Sequence, residues 1–120
     1  MQAQLSTPKP YDFKQLEEIA AGNTDFIRSL ARIYLNTIPG NSTELVQAAS
    51  SGDWLNASKL AHKLKSTIDS LNMTSIQTAI RTIEVDGKNK KNTGALYNMA
   101  VKVDEVIKYV AEDLKLQFGF

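Results

Sequence analysis

Apolar residues recur at intervals close to 3.6 in four long segments of this 120-residue chain, and no stretch alternates as a strand would. Such spacing places the apolar side chains on one face of a helix, and that face must be buried against other helices. Turn-forming residues fall between the segments. The sequence therefore predicts an all-α fold: an antiparallel up-and-down four-helix bundle with a short additional N-terminal helix.

The segment boundaries follow from capping and helix-breaking residues. Residues 1–10 include two prolines and are predicted to be a flexible lead-in, with residues 11–120 forming one domain. Pro39 and Gly40 predict a kink or short break in the first long helix, because proline removes a backbone donor. The short helix is expected to start at Asp12. The four long helices are expected to start, in chain order, at Asn23 or Thr24, at Trp54 with Asp53 as its N-cap, at Thr74 or Ser75, and at Thr93. The expected ends include Gly22, Leu71 before a left-handed Asn72, and Gly87.

Composition excludes several classes of site. The net charge is only +1, so the molecule as a whole has no strong positive potential that would attract nucleic acid. There are no cysteines, so neither a disulfide nor a thiolate metal site is expected. No apolar run approaches the ~20 residues that span a bilayer, and no signal peptide is recognisable. The chain is therefore expected to be a soluble, cytoplasmic monomer without a metal site. Lys88, Lys90 and Lys91 are interpreted as a solvated loop, because no aromatic residues interleave with them.

The only histidine, His62, lies in the segment that begins at Trp54. At about 100° per residue, the apolar side chains of this segment fall within one arc of roughly 100°, and His62 lies well outside it. A histidine buried for packing would share that arc, so an exposed imidazole is predicted. Leu55 is the one apolar residue of this segment whose side chain is expected to point in nearly the same direction from the helix axis as His62. The members of the arc are Ala57, Leu60, Ala61, Leu64, Ile68 and Leu71.

Polar and cationic residues surround His62 in the sequence. Lys65 and Ser66 follow it by three and four residues, so both side chains neighbour the imidazole on a helix. Lys59 precedes it by three residues, and Lys63 is adjacent. Nearby positive charge disfavours protonation of the ring, and a neutral imidazole has a lone pair that makes it a nucleophile near neutral pH. An idle surface histidine is the alternative interpretation.

The run from Ala61 to Leu71 resembles the motif of histidine-containing phosphotransfer (HPt) domains, commonly written A-H-x-L-K-G-S/A. The alanine, histidine, leucine and lysine match at the family spacing. Ser66 stands where the family usually has glycine, and Asn72 replaces a later glycine. The resemblance covers about residues 11 to 117. Its further parts are Ala48–Trp54, Asp25–Ile27 and Ile83–Glu84.

HPt domains accept a phosphoryl group from the aspartate of one receiver domain and pass it to the aspartate of another. The resemblance implies that His62 attacks the aspartyl phosphate through Nε2, that Lys65 compensates charge on the transferring group, and that Ser66 donates a hydrogen bond to it. The chain would be a phosphocarrier rather than an enzyme, without a cofactor, and magnesium would belong to the receiver. Its partners would be receiver domains of response regulators or hybrid histidine kinases. The residues expected to contact them are Leu55, Lys59, Lys63 and Asp69.

Three other interpretations stay open. An HPt-like bundle could act only as a docking or scaffold module without phosphotransfer, and Ser66 keeps this possible. The dimerisation helix pair of a histidine kinase typically has an acidic residue after its histidine and a proline several residues later, whereas Lys63 follows His62 and no proline follows Pro39. A generic helical adaptor would tolerate His62→Gln without any change in signalling.

Overall fold

The structure, a computed structural model, describes residues 9–120, and within that range it contains five α-helices and no strand. The predicted all-α class is confirmed. Most of the predicted lead-in, residues 1–10, lies outside the described residues. The helices are α1 Lys14–Ala20, α2 Thr24–Ser50, α3 Trp54–Ser70, α4 Thr74–Asn89 and α5 Thr93–Phe118.

Several predicted helix ends are confirmed by their capping geometry. The side chain of Asn23 accepts from the backbone N–H of Phe26 at 3.1 Å, so Asn23 is the N-cap of α2. Asp53 accepts from the N–H of Asn56 in the same way at the start of α3. Asn72 has a φ of 51°, the left-handed conformation predicted for the residue that separates α3 from α4.

A kink or a short break is predicted at Pro39 and Gly40; the break is wrong, because α2 is one continuous helix through both residues, whereas the kink stays a prediction. A proline inside a helix costs about 3 kcal/mol relative to alanine, mainly through a lost hydrogen bond and a steric clash. Packing on both sides of Pro39 offsets this cost. Ile38 is buried, the hydroxyl of Tyr34 donates to the carbonyl of Ile107 at 2.9 Å, and Ser42 is fully buried against α5.

The predicted end of α4 at Gly87 is also wrong, since the helix continues to Asn89. The chain leaves the helix through Lys90, which has a φ of 54°, and the N–H of Lys91 donates to the carbonyl of Asp86 at 2.8 Å. Gly87 is buried inside the helix, where an added Cβ would lie 3.1 Å from the carbonyl oxygen of Trp54. The glycine therefore permits close approach of α4 to α3.

Each long helix packs mainly against two others: α2 against α3 and α5, and α4 against α3 and α5. The short helix α1 packs on α2, and the segment before it is tied to the α3–α4 connection by a hydrogen bond from the N–H of Asp12 to the carbonyl of Leu71 at 2.9 Å. The largest fully buried side chains line the space between the long helices: Leu45, Leu64, Ile68, Met73, Ile76, Ile80, Ile83, Leu96, Val103, Ile107, Val110 and Leu114.

Across residues 9–120, none of the helices combines the length and the apolar character that crossing a membrane requires.

Candidate functional site

His62 lies on the outer face of α3, as predicted from the helical periodicity. Its side chain is 69% exposed, whereas the neighbouring Ala61 and the next-turn Leu64 are fully buried. The helix packs against α2 and α4 through its buried residues, so it is anchored along one side and presents the imidazole on the other. The ring is therefore accessible to a second molecule without any rearrangement of the core.

Glu84 on α4 binds one nitrogen of this ring: the distance from Nδ1 of His62 to Oε2 of Glu84 is 2.6 Å. Hydrogen bonds from Lys65 and then from His62 lower the pKa of Glu84 below its usual value, so the carboxylate is ionised near neutral pH. An ionised carboxylate only accepts hydrogen bonds, so Nδ1 must carry the hydrogen. In the neutral ring the lone pair is then on Nε2, to which no residue of 9–120 is hydrogen-bonded.

Lys65 binds the other oxygen of the same carboxylate, with 2.8 Å between its Nζ and Oε1 of Glu84. The two oxygens of Glu84 thus bind a lysine and a histidine that lie three residues apart on α3. The sequence argument placed the lysine charge directly beside the ring, whereas in the structure a carboxylate lies between them. The predicted contact of Lys65 with a phosphoryl group stays a prediction.

Close packing of α3 against α4 brings Glu84 to the ring. The hydroxyl of Ser58, a buried residue one turn before His62, donates to the backbone carbonyl of Glu84 at 2.6 Å. Gly87 lies three residues after Glu84 and leaves room for the backbone of α3 at Trp54. These two contacts fix the register of α4 along α3, and with it the position of the carboxylate.

Ser66 lies one turn after His62 and is exposed on the other side of the ring from Glu84, toward α2. It lies at the edge of a groove of about 190 Å³ between α1, α2 and α3. The groove is mainly apolar, and its lining includes Leu16, Leu30, Ile33 and Leu71. The hydrogen bond from Ser66 to a phosphoryl oxygen stays a prediction.

The residues predicted to contact a partner are distributed differently. Lys59 and Lys63 are exposed on α3, and Leu55 is 54% exposed two turns before His62. Asp69 is instead engaged within the chain, since its Oδ2 lies 2.5 Å from the guanidinium of Arg81 on α4. A surface role for Asp69 would have to compete with this ion pair.

Glu84 is the site residue that sequence reasoning missed as a partner of His62. It was noted only as part of the family resemblance, and its spacing from His62 in the sequence indicates no contact. The contact depends on the register of two helices, which the capping residues do not determine. A buried serine and a helical glycine on facing segments were the available signals, and neither reveals a partner on its own.

Comparisons with family models, with curated proteins and with solved structures find no significant match to this chain. In the part of the chain that the structure describes, no three histidine or acidic side chains are grouped so that they could share a metal ion. The functional argument therefore rests on the geometry around His62 and on the motif that contains it.

Proposed function

We propose that this chain is an HPt phosphorelay intermediate, a cytoplasmic protein that accepts a phosphoryl group on His62 from a receiver-domain aspartate and passes it to another. The observation that supports it best is the state of the His62 ring. The ring is largely exposed, its Nδ1 is bound to an ionised carboxylate, and its Nε2 is hydrogen-bonded to none of residues 9–120. An idle surface histidine does not require this two-residue support from Glu84 and Lys65.

The transfer step balances without any proton movement. The lone pair of Nε2 forms a bond to phosphorus while the bond between phosphorus and the aspartate oxygen breaks, and the carboxylate leaves with that electron pair. The ring then has hydrogen on Nδ1 and the phosphoryl group on Nε2, so it is cationic. In the return step an aspartate carboxylate attacks phosphorus, the N–P bond breaks, and the electron pair returns to Nε2.

Glu84 would act on this step as a positioning residue. Its carboxylate orients the ring, and its negative charge lies against the positive charge that develops as the N–P bond forms. Lys65 holds the carboxylate in place from the other side. Phosphoryl transfer depends chiefly on positioning and charge stabilisation, so an oriented imidazole can be sufficient on this side of the complex. The receiver would supply the remaining groups, including magnesium.

The helical architecture supports the same assignment. Contacts between α3 and α4 run from Trp54 beside Gly87 to Asp69 beside Arg81, as expected for two helices of opposite direction. The connections between the long helices are short. Both features favour an antiparallel up-and-down bundle with α1 as an additional helix, the fold that the family resemblance implies.

A transfer assay tests the proposal. A panel of receiver domains is labelled with ³²P-acetyl phosphate, freed of excess reagent and mixed with the chain. We expect at least one receiver to transfer label to the wild-type protein, and the label to be stable in base and lost in acid, as an N–P bond requires. His62→Gln should accept none while keeping the helical circular dichroism of the wild type.

Lys102→Gln is the matched control, because it removes an exposed lysine from α5, a helix that does not pack extensively against α3, and it should still accept label. Label on His62→Gln would contradict the proposal. Binding of a receiver without labelling would instead identify a docking module, the alternative function.

A further inference from the structure

Exposed lysines also occur beyond α3. The last turn of α4 and the connection to α5 contribute Lys88, Lys90 and Lys91, all of which are exposed, as is Lys59 on α3. We refer to these four residues as the lysine surface. The sequence analysis interpreted the α4–α5 lysines as a solvated loop, without any relation to His62.

Helix packing places Lys88 on the same side of the molecule as the ring. Glu84 reaches His62, and Lys88 follows Glu84 by four residues, so it lies on the same face of α4 one turn further along. Gly87, next to Lys88, lies against Trp54 and Ser58 of α3. Lys88 is therefore level with the turn of α3 that precedes His62.

The lysines of this surface form no ion pair within the described part of the chain. None of the four lysines lies within 4.0 Å of a carboxylate oxygen, whereas Lys65, Lys108 and Lys115 each do. Of the nearby acidic groups, Glu84 binds His62 and Lys65, and Asp86 accepts a hydrogen bond from the neutral Asn92 at 3.2 Å and keeps its charge, so the surface remains net positive but is partly offset by Asp86. Lys59 thus lies one turn before His62 on α3, and Lys88 lies one turn beyond its partner Glu84 on α4, so unpaired lysines of both helices lie on the same side of the molecule as the ring.

We propose that the lysine surface is the electrostatic docking site for the phosphorylated receiver domain, and that Lys88 and Lys91 accelerate its association. This inference rests on the proposed function. The argument is charge complementarity: an aspartyl phosphate brings about two negative charges to the position where it must meet Nε2. Unpaired cations beside that position raise the rate of productive encounter more than they strengthen the final complex.

A nucleic acid is a less suitable occupant. Residues 88 to 92 are all lysine or asparagine, so this segment provides no aromatic side chain on which a base could stack. The surface also adjoins exposed apolar residues, Leu55 and Val85, which are 54% and 55% exposed. A protein partner can cover apolar and cationic side chains together.

The test compares two double variants that each remove two positive charges. Lys88→Gln/Lys91→Gln changes the lysine surface. Lys102→Gln/Lys115→Gln is the control on α5, which does not pack extensively against α3, and it likewise removes one lysine from the last turn of a helix. Lys90 is left unchanged because its left-handed backbone ends α4. Transfer from the most active labelled receiver is followed by rapid quench over a range of receiver concentrations.

At low ionic strength we expect Lys88→Gln/Lys91→Gln to raise the half-saturating receiver concentration roughly 3- to 10-fold, with an unchanged rate at saturation. The difference should disappear near 0.5 M salt, where charges are screened over a few ångströms. The control pair should change the half-saturating concentration less than about 2-fold. Circular dichroism checks the folding of each variant. If the double variant unfolds, Lys91→Gln alone replaces it in the assay, because Lys91 lies in the connection between α4 and α5.

Equal effects of the two pairs, or an effect that persists at high salt, would overturn this inference while the proposed function stands. Salt-sensitive binding of single-stranded RNA or anionic vesicles that is lost in Lys88→Gln/Lys91→Gln, with transfer unchanged, would overturn it in favour of those ligands. Absence of transfer from every receiver to the wild type would reject the proposed function, and this inference with it.

Discussion

Two polar networks join neighbouring helices in this bundle, and they differ in what they leave open. Between α2 and α5, the hydroxyl of Ser42 donates to Asp104 at 2.7 Å, and Lys108 binds both Asp104 at 3.0 Å and Thr43 at 2.9 Å. Between α3 and α4, Glu84 binds Lys65 and His62. Each network is centred on one carboxylate that accepts hydrogen bonds from a lysine and from a second side chain.

The difference lies in the second donor. Ser42 is fully buried and its hydroxyl is bonded to Asp104, so the α2–α5 network has no group directed at another molecule. His62 is largely exposed and retains an unbound ring nitrogen. The same arrangement of a carboxylate and two donors stabilises helix packing when its last member is buried, and under the proposed function it orients a nucleophile when its last member is exposed. Matched carboxylate-to-amide substitutions can separate the two roles.

Glu84→Gln should have the largest effect, on transfer. The amide oxygen can still accept from Nδ1 and orient the ring, but it carries no negative charge to stabilise the positive charge of the phosphorylated imidazole. A charge-assisted hydrogen bond contributes about 1.5–3 kcal/mol, which corresponds to a roughly 10- to 100-fold slower transfer to His62. Rapid-quench labelling at saturating receiver measures this rate. An unchanged rate would show that the carboxylate contributes only to packing.

Asp104→Asn should show the opposite pattern. Weakening the bonds to Ser42 and Lys108 is expected to lower the free energy of unfolding by about 1 kcal/mol, since one partner is buried and the other is half exposed. The rate of transfer to His62 should stay at the wild-type value. Urea denaturation followed by circular dichroism measures the first quantity. A loss of transfer in a folded protein would mean that the two networks are coupled.

Lys65→Gln tests whether Lys65 acts through Glu84. The hydrogen bond from Lys65 is the largest cause of the lowered pKa of Glu84, so that pKa should rise toward its usual value. Transfer should fall only a few-fold, about 1 kcal/mol or less in activation free energy, because His62 keeps its partner. Nuclear magnetic resonance titration of the Glu84 side chain measures the pKa, and Lys102→Gln, on α5, is the control. A fall in transfer larger than that of Glu84→Gln would instead support direct contact of Lys65 with the phosphoryl group.

The smallest expected effect is on stability in acid. A carboxylate whose pKa is lower in the folded protein than in the unfolded chain stabilises the fold above about pH 4.3, and this stabilisation is lost as the pH falls through the folded pKa. In the His62→Gln background, Glu84→Gln should therefore lower the free energy of unfolding by less than about 1 kcal/mol at pH 7. The two proteins should converge toward pH 3. A difference that grows in acid would contradict the direction of the pKa shift.

Local features of the fold were predictable from the sequence. Asp53 and Asn23 act within one turn of the helices that they cap, and the orientation of His62 follows from periodicity along a single helix. Contacts between helices were not predictable. Pro39 stays helical because packing on α5 offsets its local cost, and Glu84 reaches His62 only through the register of α4 on α3. Neither depends on residues that are close in sequence.

The buried Gly87 has a consequence for how this site can change over evolution. An added Cβ at this position would lie 3.1 Å from the carbonyl oxygen of Trp54, which precedes His62 by about two turns of α3. Replacement by alanine would widen the gap between the two helices by a few tenths of an ångström, comparable to the tolerance of a short hydrogen bond. A residue without a side chain thus helps to set the distance between His62 and Glu84.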